Sequence, residues 1–131
     1  MTVTIDTAIS PLLDARQGLA TAIEAATGYT CHPSHETALA TPCVVLEPDG
    51  WVTRMASGDP AYRIQVTCLY ANQAGDLADG VEELARLTYL ACVDYGCRMV
   101  EVPAPGAVTV GANEYAGVQF TATLLVTIRS I

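Results

Sequence analysis

From Val118 onward the chain changes character at every step. Val118, Phe120, Ala122, Leu124, Val126 and Ile128 are apolar, and Gln119, Thr121, Thr123 and Thr127 stand between them. Successive side chains of a strand point to opposite faces, so this period of two predicts a central strand with one face on the core. Burying six such side chains contributes on the order of 10 kcal/mol, at about 1.5–3 kcal/mol for each large one. That matches the net stability of a whole domain. A second run, with Tyr62, Ile64, Val66, Cys68 and Tyr70 against Arg63, Gln65 and Thr67, predicts another half-buried strand.

In two places the period lengthens to that of a helix. Leu12, Ala15, Leu19, Ile23 and Ala26 follow Ser10-Pro11, a capping serine and a proline suited to the first helical position, and Gly28 can end the turn. This predicts a helix over 11–26, followed by a connecting loop over 27–42. Leu77, Val81, Leu84, Thr88 and Ala91, with Leu87 beside them, follow a cap at Asp76 or Asp79 and run to about Tyr95, where Gly96 closes the second helix. Residues 43–47 (CVVLE) read as a strand ended by Pro48, and 98–102 and 107–110 as short strands. Between Pro48 and Pro60 the segment PDGWVTRMASGDP carries turn signals at Asp49-Gly50 and Gly58-Asp59-Pro60, so 48–61 reads as an extended arm or hairpin. The order of elements predicts an α+β fold: a mostly antiparallel sheet of four to five strands with two helices packed on one face.

With 131 residues the chain fits one domain, 1–131, with enough apolar content for a core. No run of about 18 apolar residues offers a membrane span, and no basic, apolar export signal opens the chain. Five scattered cysteines, an odd number, favour a reducing compartment over a disulfide framework. Six arginines, no lysine and fourteen acids give a net charge of −8. Duplex binding draws on clustered cations that displace phosphate counterions, so specific DNA binding is not expected.

The densest chemistry lies in CHPSHETALATPC, residues 31–43, which holds two cysteines, both histidines and an acid. Zinc sites favour spacings such as C-x2-4-C or H-x3-5-H. Cys31 and His32 are adjacent, and only Pro33 and Ser34 separate His32 from His35, so the segment is expected to be a metal-free connector. A cysteine nucleophile needs a histidine base and an orienting group, and no family-specific cysteine signature is present. Cys68 falls on an apolar strand face and Cys92 and Cys97 flank the end of the second helix, where thiols act as small hydrophobes. No phosphate, dinucleotide or calcium loop occurs, so no cofactor is expected. Trp51, the single tryptophan, lies on the arm beside Val52 and Met55. It either folds back on its own core or anchors a partner.

Four features in order carry a resemblance: the PCVVLEPDGWV strand and arm, the YRIQVTCLY strand, the DLADGVEELARLTYLACVDYG helix and the closing PAPGAVTVGANEYAGVQFTATLLVTI. With them the chain resembles the tail terminator (tail completion, or minor tail) proteins of long-tailed bacteriophages, and with the first helix the likeness covers nearly the whole length. The resemblance implies a non-enzymatic virion protein, assembled in the host cytoplasm and placed at the head–tail junction. It implies a homo-oligomeric ring, six copies in the family, that caps the tail-tube protein, stops tube growth and docks the head–tail neck protein. DNA would pass through the lumen without specific binding, and no membrane is involved. The family has no catalytic residues, and no motif fixes its contacts; Trp51 and Arg54 on the arm and Tyr115 near the final turn are the candidate interface residues. The alternatives are another neck component, adaptor or stopper, or a small metal- or thiol-dependent enzyme.

Overall fold

A computed structural model of the chain describes residues 2–6, 11–34, 39–53, 60–71, 78–99 and 101–129, with side chains over most of them. In chain order the elements are β1 (Thr2–Asp6), α1 (Pro11–Thr27), β2 (Thr30–His32), β3 (Cys43–Thr53), β4 (Pro60–Ala71), α2 (Ala78–Tyr95), β5 (Cys97–Met99), β6 (Gly106–Val110) and β7 (Asn113–Arg129). Both helices end where a glycine takes the left-handed conformation. Gly28 (φ 77°) donates its N–H to the Glu24 carbonyl at 2.9 Å, and Gly96 (φ 106°) donates to Val93 at 3.0 Å.

The strands form one sheet, ordered β1-β7-β4-β3-β2, with β5 and β6 also paired to β7. The alternating C-terminal segment is its centre. One edge of β7 pairs antiparallel with β4 from Ala61↔Leu125 to Ala71↔Ala116. The other edge is shared end to end by β6 against 113–117, β5 against 122–124 and β1 against 125–129. Two expectations need correction. Among the described residues the sheet has seven strands rather than four or five, and its mostly antiparallel pairing includes two parallel pairs, β1 with β7 and β2 with β3. The segment 27–42 is accordingly not all loop. The three residues of β2 are too few for a period to register, and β1 has its partner at the far end of the chain.

Both helices lie on one face of the sheet, as the pattern predicts. Ala15, Leu19 and Ile23 of α1 and Val81, Leu84 and Cys92 of α2 pack on Tyr62, Ile64 and Val66 of β4 and on Val118, Phe120 and Leu124 of β7. Thr88, buried inside this layer, donates its hydroxyl to the Leu84 carbonyl at 2.7 Å, so its polar atom has a partner. Ala26 is exposed, because α1 has turned its apolar stripe past the sheet by its last turn. The opposite face carries a smaller cluster of Cys43, Val45, Leu69, Val110 and Tyr115, with Leu39 and Val108 against it. That cluster explains Thr67, which alternation puts on the polar side of β4 and which is nevertheless fully buried; it accepts a hydrogen bond from Gln119 Nε2 at 3.0 Å.

Candidate protein interface

The segment CHPSHETALATPC begins in β2 and ends at the first residue of β3. The parallel register sets Cys31 opposite Val44 and Thr30 opposite Cys43. Neighbours across a ladder share a face, so Cys31 joins the helix-side core and Cys43 the cluster on the other side. The sheet therefore stands between the two thiols, which disfavours them as joint ligands of one ion. Among the described residues, no group of three or more His, Cys, Asp or Glu side chains is placed to hold a metal; His35 lies outside them. Arg16 ties the connector to α1, with Nη1 donating to the Pro33 carbonyl at 2.7 Å and to Ser34 Oγ at 3.2 Å.

All five cysteines are free and buried. Burial, which penalises the thiolate, raises Cys43 to about 11 and Cys68 to about 12, the latter in spite of a hydrogen bond with Thr88. Burial also pushes Cys31 far up, reinforced by the Glu24 carboxylate. Cys92 is raised by its contact with Cys97 first and by burial second. Cys31, Cys43, Cys68 and Cys92 therefore stay protonated near neutral pH, and a protonated thiol is a poor nucleophile and a poor metal ligand.

The arm is a continuation of the sheet. After a bulge between Pro48 and Trp51 the β3–β4 pairing resumes at Trp51↔Tyr62 and runs to Thr53↔Pro60. The backbone thus places Trp51 on a strand rather than a free tip; its side chain and Arg54 lie outside the described residues. Tyr115 is 5% exposed and packs in the Cys43–Val45–Leu69 cluster. Its ring holds the β6–β7 hairpin down, and contact with a partner would require that cluster to open.

In sequence the exposed face of α2 reads as a solvated surface carrying Glu82 and Glu83, but it also carries apolar residues. Tyr89, Leu90 and Val93 are 37–44% exposed and follow one another up the solvent side of the helix. Beside them an open groove of about 560 Å³ runs between α2 and residues 102–105, lined by Ala85, Tyr89, Val102, Pro103 and Pro105, with Glu82 and Arg86 on it. Arg86 is taken up by Glu83 in a two-point ion pair, at 3.0 and 2.7 Å. The signal was available: positions 86, 89, 90 and 93 are neighbours on a helical wheel, opposite the buried stripe. No helix among the described residues is long and apolar enough to cross a membrane. Comparison with protein-family models and with curated proteins gives no match.

Proposed function

We propose that the chain is a structural subunit of a phage tail, a tail terminator that closes the tail tube as a homo-oligomeric ring and presents the docking surface for the neck. The observation that carries this reading is the long β3–β4 hairpin with an open flank. β2 pairs with β3 only over Cys43–Val45, and among the described residues no strand pairs that flank beyond Val45. An unpaired strand edge is a template for another chain. A subunit that repeats one head-to-tail contact generates a ring when the rotation closes. The ordered sequence features that resemble tail terminators support the same role, and the buried, protonated thiols fit a chain that assembles rather than catalyses.

The test is co-purification with tail-tube protein, followed by electron microscopy of the tube ends. Rings capping the tube are the expected result. A ring that binds neck protein but not the tube would assign an adaptor or stopper instead. A monomer under every condition, tube included, would defeat the terminator reading.

A further inference from the structure

The two layers of the fold leave two unlike outer surfaces, one on the sheet and one on α2. On the sheet side, Arg63 of β4 and Arg98 of β5 both pair in register with Thr123 of β7, from its two flanks. Residues opposite one another across a ladder share a face, so Arg63, Thr123 and Arg98 form one lateral row, with the arginine Cα atoms about 10 Å apart at two strand spacings. The row lies on the face away from the helices, since Tyr62, Ile64, Cys97 and Met99 on either side of these arginines face the helix-side core. Both arginines are exposed, and among the described residues neither has an ion-pair or hydrogen-bond partner. Next to them the surface is threonine and glutamine: Thr121 is exposed and Gln65 half-buried. In a chain of six arginines and fourteen acids, two unpaired cations in one row make a local positive patch.

On the helix side α2 presents the opposite character. Tyr89, Leu90 and Val93 form an exposed apolar centre, and the exposed acids Asp79, Glu82 and Asp94 lie before and after it. Arg86, the one cation in the α2 sequence, is held by Glu83. Apolar centres with a charged rim are the composition of protein interfaces.

We infer that the open sheet face of one copy receives the α2 face of the next, with the Arg63–Thr123–Arg98 row meeting the acids that flank Tyr89, Leu90 and Val93. The occupant is a second copy of this chain, because the chain itself carries the surface complementary in charge, the exposed acids Asp79, Glu82 and Asp94 of α2. Duplex DNA is the poorer fit: two arginines neutralise two phosphates, and the binding constant grows with the number neutralised, against a net charge of −8. The contact is heterologous, so each copy uses both faces once and the assembly propagates head to tail. This inference rests on the ring reading above and names one contact within it.

The experiment uses the full chain and two double variants, Arg63→Glu with Arg98→Glu on the sheet and Leu90→Glu with Val93→Glu on the helix. All four positions are exposed; circular dichroism and thermal melts confirm that each variant is folded. Should either glutamate variant fail to fold, the neutral pair Arg63→Gln with Arg98→Gln, or Leu90→Gln with Val93→Gln, takes its place. Light scattering across a concentration series, with and without tail-tube protein, gives the particle mass. Each variant should raise the concentration of half-assembly by about tenfold or more, equivalent to about 1.4 kcal/mol or more. A mixture of the two folded variants should form a dimer and stop, since one intact sheet face meets one intact helix face and the remaining pair are both defective. Assembly that survives both variants, or a mixture that stays monomeric, overturns the contact while the parent's rings keep the terminator reading. Loss of assembly as expected, from a parent that never binds tube, supports the contact and overturns the terminator reading. A parent that is monomeric throughout overturns both. Retention of a duplex by the parent but not by the arginine variant assigns the row to phosphate and overturns the inference.

Discussion

At Gly117 the backbone of β7 lies against that of β4, and replacing it by alanine measures how closely the two strands approach there. A methyl group built there would drive into the Cys68 carbonyl oxygen, with the Cys68 carbonyl carbon at 3.3 Å and Leu69 Cα at 3.5 Å. The obstacle is the backbone of a central strand, which cannot swing aside as a side chain does. Overpacking costs about 1–3 kcal/mol, and a backbone obstacle belongs at the upper end. Against this, alanine recovers about 0.5–1 kcal/mol of the conformational entropy that glycine loses on folding. The balance is a destabilisation of about 2 kcal/mol. With an unfolding entropy of about 2.1 cal/mol/K for each residue and 131 residues, the melting temperature should fall by about 7 °C. Urea titration followed by circular dichroism provides the assay, with a lowered midpoint and an unchanged slope as the expected result. Gly106, the ladder partner of Gly117 on β6, supplies an internal control, because nothing lies within 4 Å of its added Cβ. Gly106→Ala should be neutral or slightly stabilising. If Gly117→Ala fell within about 0.5 kcal/mol of the parent, as ordinary surface substitutions do, the close β4–β7 approach would be refuted.

Three further outcomes are expected. Raised thiol pKa values mean that between the ordinary value of 9.0 and about 11 for Cys43, or about 12 for Cys68, the unfolded chain releases protons that the folded chain keeps. Stability should therefore be intact below pH 9 and fall above it, by about 1.4 kcal/mol per pH unit for each such thiol; denaturation midpoints that stay flat from pH 8 to about pH 11 would contradict the burial argument. Trp51→Ala should impair assembly on tail-tube protein more than it lowers the melting temperature of the single chain, and equal losses in both would place Trp51 in its own core. Protein purified without added metal should contain no stoichiometric zinc; bound zinc whose removal by a chelator lowers the melting temperature would overturn the connector reading of residues 31–43.

Much of the fold is legible because it rests on periodicity. Val118, Phe120, Ala122 and Leu124 declare β7, the longest strand, and Gly28 and Gly96 mark the helix ends to within a residue or so. What escaped is whatever local pattern cannot encode. Thr30-Cys31-His32 is one rung of sheet whose existence depends on Val44 being parallel beside it. Thr2–Asp6 is a strand because Leu125–Arg129, more than a hundred positions away, supplies its hydrogen bonds. Thr67 looks polar and outward in sequence and is buried because Tyr115 and the β6–β7 hairpin close over the far side of the sheet.

The surfaces are less legible than the fold, for the same physical reason. Arg63 and Arg98 are 35 positions apart, with a whole helix between them, and no reading of either neighbourhood puts them in one row. The row exists because β5 and β4 reach the same residue of β7 from its two flanks, so one register places both cations. A shift of either pairing by one residue would turn its arginine to the other face, into the helix-side core, where an unpaired guanidinium is costly. The helix-side core, packed by Cys97 and Met99 from β5 and by Tyr62 and Ile64 from β4, is therefore what holds the outward row in place. The residues with the plainest chemistry in the sequence, the cysteines, are the ones the fold spends on packing. Arg63, Thr123 and Arg98 are scattered along the chain and meet only once the sheet has closed.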